Sequence, residues 1–126
     1  MGKITWANAP TEQEKREALA ARLGDIRKRE EAKGVTVNGA RFSGDPANRQ
    51  ALNEALQMAE RLGATTFTSW KDSDNQFHAN YAVADVDNAL VQIGQRRQAL
   101  IAKESEFASQ VLAGTITDVA NLDWTV

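Results

Sequence analysis

The pair Asn38-Gly39 constrains this chain more tightly than any other two residues in it. A two-residue type I′ turn needs positive φ at both central positions, and Asn-Gly is the natural pair that tolerates it. The flanking runs "GVTV" and "ARF" therefore predict a hairpin in a single register. Val37 then faces Ala40 and Val35 faces Phe42, so these four side chains share one face, while Thr36 and Arg41 share the other. A slip of one residue would turn the apolar set outward.

Helix punctuation surrounds this ribbon. Thr11 followed by Glu14 matches a capping box, which predicts a helix through about Lys33, with Gly34 as its stop. Its larger apolar residues, Leu19, Leu23 and Ile26, form one narrow stripe, so the helix can lend an edge to a core but cannot itself be buried. After the hairpin, Asp45-Pro46 is an N-cap with proline at the first helical position, and Gly63 ends that helix near Leu62. Leu52, Ala55, Leu56, Ala59 and Leu62 are spaced for a buried stripe.

Residues 65–71, "TTFTSWK", read as a strand, "DSDN" as a turn, and "QFHA" as the start of a returning strand. From about Ala84 to Ala113 runs one long helical pattern. Val86, Leu90, Ile93, Leu100, Phe107 and Val111 lie on a seam that Arg97 and Glu104 interrupt. Beyond Gly114, a short helix is expected to fold Ile116, Val119, Leu122 and Trp124 back onto the core. The order is N-terminal helix, β-hairpin, helix, β-hairpin, long C-terminal helix and short terminal segment. No helix links two strands as a parallel crossover requires, so the class is α+β with antiparallel strands. Residues 1–10 read as an arm, 11–33 as a leading charged helix and 34–126 as a compact α+β domain.

Composition then removes several functions. Fifteen basic and 17 acidic residues give a net charge of -2 and no basic run of the kind that tracks nucleic acid. The chain has no cysteine, so disulfides, zinc-thiolate sites and thiol nucleophiles are excluded, and a reducing cytosol is the expected place of synthesis. The opening "MGKITWANAP" has no apolar signal core, Trp6 stands where a myristoylation pattern needs Ser or Thr, and no stretch approaches the ~20 apolar residues of a membrane span.

The polar candidates each have a plain alternative. His78 is the sole histidine, so any acid–base scheme would have to use it, yet it sits in an expected strand with no serine elbow nearby. Asp72, Asp74 and Asn75 resemble the start of a calcium loop, but Phe77 and Val83 occupy the positions where such a loop needs Gly and Glu; a hydrogen-bonded turn explains the run. Neither a P-loop nor a dinucleotide fingerprint is present. No catalytic residue, cofactor or metal is assigned.

Arg97 on the apolar seam means either loose packing or pairing with an acid. Glu104 lies seven residues on, beyond reach within one helix, so such a pair needs a neighbouring helix or chain. Trp6 in the arm is either a peg into a partner or an anchor on its own domain. Trp6, Arg97 and Glu104 are thus the candidate partner-binding residues. Trp70, in a strand, is expected in the core with its indole N–H tied to a backbone carbonyl.

"GVTVNGARFSGDPANRQAL", followed by "SWKDSDNQF", resembles a domain family of uncharacterised function found in bacteriophage tail-region proteins. The features that carry the likeness are Gly34, Gly39, Phe42, Asp45, Arg49, Trp70, Lys71, Asp74, Asn75, Phe77 and Trp124, and it spans roughly residues 11–124. The resemblance implies a tail or tail-fibre structural component that assembles with other tail proteins in the virion. It also implies a homotrimer, or copies bound to a trimeric fibre, after synthesis in the host bacterial cytoplasm. The alternatives are a transient fibre-assembly chaperone and, further off, a glycan-degrading enzyme, which would need paired carboxylates facing one cleft.

Overall fold

The computed structural model describes residues 9–126. Along the chain come α1 (Glu12–Lys33), β1 (Val35–Val37), β2 (Ala40–Phe42), α2 (Pro46–Leu62), β3 (Thr66–Lys71), β4 (Phe77–Ala82) and α3 (Val83–Leu112). This is the expected α+β order, and the element ends fall close to the anticipated ones. The capping box is closed in both directions: the Glu14 amide donates to Thr11 Oγ1 at 3.0 Å, and the Thr11 amide donates to Glu14 Oε1 at 3.2 Å. Asp45 caps α2 by accepting from the Asn48 amide at 2.8 Å, and Gly63 closes that helix in the left-handed region.

The first hairpin pairs Val35 with Phe42, Thr36 with Arg41 and Val37 with Ala40, with Asn38 at φ 46° and Gly39 at φ 82°. Gly34 does more than stop α1. At φ +69°, a Cβ there would stand 1.7 Å from the Phe42 carbonyl oxygen, so the hairpin closes directly against the helix end. A Cβ on Gly44 would lie 2.2 Å from the Glu31 carbonyl oxygen. Two glycines therefore let the ribbon and the α2 entrance press onto the last turn of α1.

Among the described residues the strands form two separate antiparallel pairs, β1–β2 and β3–β4. Within β4, Asn80 has φ 50°, and it faces Thr68 at the one place where the β3–β4 ladder is interrupted. That kink breaks the two-residue alternation. As a result Trp70 lies 5.0 Å from Phe67 and 6.3 Å from Tyr81, ring centre to ring centre, and His78 lies 5.7 Å from Tyr81. Phe67, Trp70, His78 and Tyr81 gather on one side of the ribbon, where Trp70 and Tyr81 pack on Phe42, while Phe77 is exposed.

Two apolar clusters lie along α3. The first joins Val37, Ala40, Phe42, Leu52 and Tyr81 to Val86, Ala89 and Ile93 of the helix. The second joins Leu23 of α1 to Leu100 and Val111 of α3 and to Val119 and Trp124 of the terminal segment. Each fully buried leucine or phenylalanine contributes about 2 kcal/mol through removal of apolar surface from water. Between Ile93 and Leu100, at the level of Arg96 and Arg97, the helix turns a polar side toward α1.

Three expectations need correction. Residues 113–126 form no helix: Asp118 and Asp123 accept from the amides of Ala120 and Thr125, both at 2.9 Å, and these local turns compete with helical pairing. The apolar side chains there still reach the second cluster as anticipated. Leu62 is 73% exposed, because the last turn of α2 overhangs the core. Trp70 is half-buried, and its indole N–H, although shielded, has no acceptor among the described residues.

Candidate functional site

The densest polar arrangement is centred on Glu31 in the last turn of α1. Only 6% of Glu31 is exposed, yet three arginines from three helices converge on its carboxylate. Arg27, one turn earlier, is in direct contact with it. Arg49, one turn into α2, donates to Glu31 Oε1 at 3.3 Å and to the Gly44 carbonyl at 3.0 Å. Arg97 of α3 brings Nε to 2.9 Å from Glu31 Oε1. That Nε is not aligned as a hydrogen-bond donor, so the attraction is Coulombic. Burying a carboxylate costs hydration, and the three guanidinium groups around Glu31 are the charges that offset that cost.

Glu104 completes the network through contact with Arg27. Burial pulls the Arg27 pKa down, but the hydrogen bond to Glu104 and the charges of Glu31 and Glu104 outweigh it and hold the group above its usual value. Beside it, Arg96 donates to the Glu30 carbonyl at 2.6 Å. Arg97 and Glu104 thus do not pair with one another. Each meets a partner on α1 of the same chain. Trp6 lies outside the described residues.

A cleft of about 300 Å³ opens over this network. Arg27, Lys28, Arg29, Arg49 and Arg97 line it, together with the apolar surfaces of Ala32, Gly44 and Pro46. Asp45 closes one side. Hydrogen bonds from the Ser43 hydroxyl and the Asn48 amide hold its carboxyl below the ordinary carboxylate range. Such a cleft can recognise an anion flanked by apolar groups.

A second polar centre sits in the β3–β4 turn. Asp72 Oδ1 accepts from the amides of Asp74 at 2.8 Å and Gln76 at 3.0 Å, while Oδ2 lies 2.8 Å from His78 Nε2. The bond to His78, then the Gln76 and Asp74 amides, lower the Asp72 pKa to about 2. Asp74 turns away and meets Arg41 Nε at 2.8 Å. Ser73 ties this turn to β2: its amide donates to the Arg41 carbonyl at 2.9 Å, and its hydroxyl accepts from the Ser43 amide at 2.8 Å. Asp72 and His78 are therefore brought together and Asp74 is not. Both acceptor sides of Asp72 are committed to holding the turn.

Among the described residues, no group of three His, Asp or Glu gathers as a metal site, and no helix is long and apolar enough to cross a membrane. Sequence reasoning missed Glu31, Arg27 and Arg49 as members of one network. The available signal was the pair of charges on the α3 seam, which demanded opposite charges on whatever helix covered it.

The fold and its polar centre define a small α+β domain in which one long helix serves two cores joined by a buried charge network. By sequence, residues 14–126 match the model of a family described as Domain of unknown function (DUF4376), and the chain belongs to that family. The match takes in nearly all of α1 together with the body. No curated protein and no solved structure matches the chain.

Proposed function

We propose that the chain is a structural component of a bacteriophage tail or tail fibre and acts by protein–protein assembly rather than catalysis. The resemblance of "GVTVNGARFSGDPANRQAL" and "SWKDSDNQF" to a tail-region domain supports the setting. The observation that carries an assembly role is on α2. Met58 and Leu62, one helical turn apart, are 57% and 73% exposed. Apolar side chains at that spacing on an outer face are surface of the kind a partner covers. In this reading the partners are other tail or fibre proteins, and a trimer or three copies on a trimeric fibre is the expected stoichiometry.

Peptide mass analysis of purified virions tests the proposal. A stoichiometric signal from this chain is expected, and Met58→Glu/Leu62→Glu should abolish incorporation while leaving the purified protein folded by circular dichroism. Absence from virions, with the chain recovered only on unassembled fibre, would replace the structural role with that of an assembly chaperone.

A further inference from the structure

The cleft beside Glu31 has a charge imbalance that folding does not use up. Five cationic side chains line it against two carboxylates, with Glu104 behind Arg27 as a third, in a chain whose net charge is -2. Three arginines are drawn inward by Glu31. Lys28 and Arg29 at the rim meet no carboxylate among the described residues. Arg97 is 39% exposed along its side chain, and its terminal nitrogens donate to no described residue. Positive charge held in place by a buried anchor, with free donors facing a cavity, is preorganised for an anion.

The remaining walls narrow the choice of anion. Ala32, Gly44 and Pro46 present apolar surface, and about 300 Å³ holds one or two side chains rather than a large cofactor. A phosphate would be drawn to the amides at the start of α2, but the Asp45 carboxylate already occupies them and would repel a dianion. A carboxylate carries half that charge and can reach the Arg97 and Lys28 side of the cleft.

We propose that this cleft is a docking slot for a short segment of a partner protein in which carboxylates alternate with apolar side chains. The inference rests on the assembly reading and gives it a recognition chemistry. One apolar side chain of the segment lies on Ala32 and Pro46, and a nearby carboxylate bridges Arg97 to Arg29 and Lys28 at the cleft's edge. The Glu31 network keeps the arginines from collapsing into the slot.

The test uses the full chain, with arginine Nε–Hε and backbone amide resonances followed by NMR. Titration with a hexapeptide of alternating leucine and glutamate should shift the Arg97 and Arg49 side-chain signals and the Gly44 amide. The leucine–glutamine peptide should not. Lys28→Glu/Arg29→Glu, which removes no internal ion pair, should weaken binding at least tenfold with the amide spectrum otherwise preserved. The inference is overturned if the acidic peptide leaves these signals unmoved at millimolar concentration, or if the double variant binds it equally well. It is also overturned if inorganic phosphate or a single-stranded oligonucleotide moves the same signals and the peptide does not. Virion incorporation without peptide binding would sink the slot and spare the tail assignment; peptide binding without incorporation would do the reverse.

Discussion

At the scale of single residues, the molecule places its few secluded charges where several partners are shared. Glu31 is the clearest case, since removing it would leave three guanidinium groups facing one another across α1, α2 and α3. Asp72 gives the sharpest measurable consequence. Its pKa falls from an ordinary 3.8 to about 2 through His78 and two turn amides, so the folded state binds a proton less readily than the unfolded chain. Its stabilising effect is fully present above about pH 4 and is lost as the pH falls through about 2. Urea midpoints between those limits should therefore drop more steeply for the native protein than for Asp72→Asn. Equal slopes would show that the turn does not depend on this carboxylate. The residue scale was also the least legible in sequence. Arg97 and Glu104 stood out because they broke an apolar seam. Nothing in "RKREEAK" distinguished Glu31 from Glu30, because which carboxylate turns inward depends on where the neighbouring helices cross. The register that sets Lys71 opposite Phe77 places Asp72 and His78 diagonally across the end of the ribbon.

At the scale of elements, local chemistry was the better guide. The Asn-Gly turn, the capping box and the Asp-Pro helix start all act over a few residues, and each appears where its own stereochemistry requires. The terminal segment failed for the same local reason, since two aspartates prefer turns to helix there. Positive φ alone does not decide what a glycine is worth. Gly39 has φ +82° with nothing within 4 Å of an added Cβ, whereas Gly34 has φ +69° with the Phe42 carbonyl in that space. Gly39→Ala should therefore cost about 1 kcal/mol and Gly34→Ala about 3 kcal/mol or more, measured by urea denaturation. Comparable losses would mean that the hairpin shifts freely against α1.

At the scale of the whole molecule, the organising element is α3. Its 30 residues span about 45 Å at 1.5 Å each. Val86 and Val111 are fully buried near its two ends in different clusters, and the charged belt intervenes. Val86→Ala and Val111→Ala should each cost about 2 kcal/mol, and the double variant should show their sum to within about 0.5 kcal/mol. A larger departure in urea or thermal denaturation would show that the belt couples the two cores. The antiparallel course of α1 has a further effect. Arg16, near its start, lies against Leu112 and Gly114 at the far end of α3, while the β3–β4 ribbon springs from the near end. The α1 start and the aromatic ribbon therefore occupy opposite poles. Because α1 ends where charge contacts fasten its last two turns to the middle of α3, α3 alone continues as the rod that joins the paired half of the molecule to the ribbon.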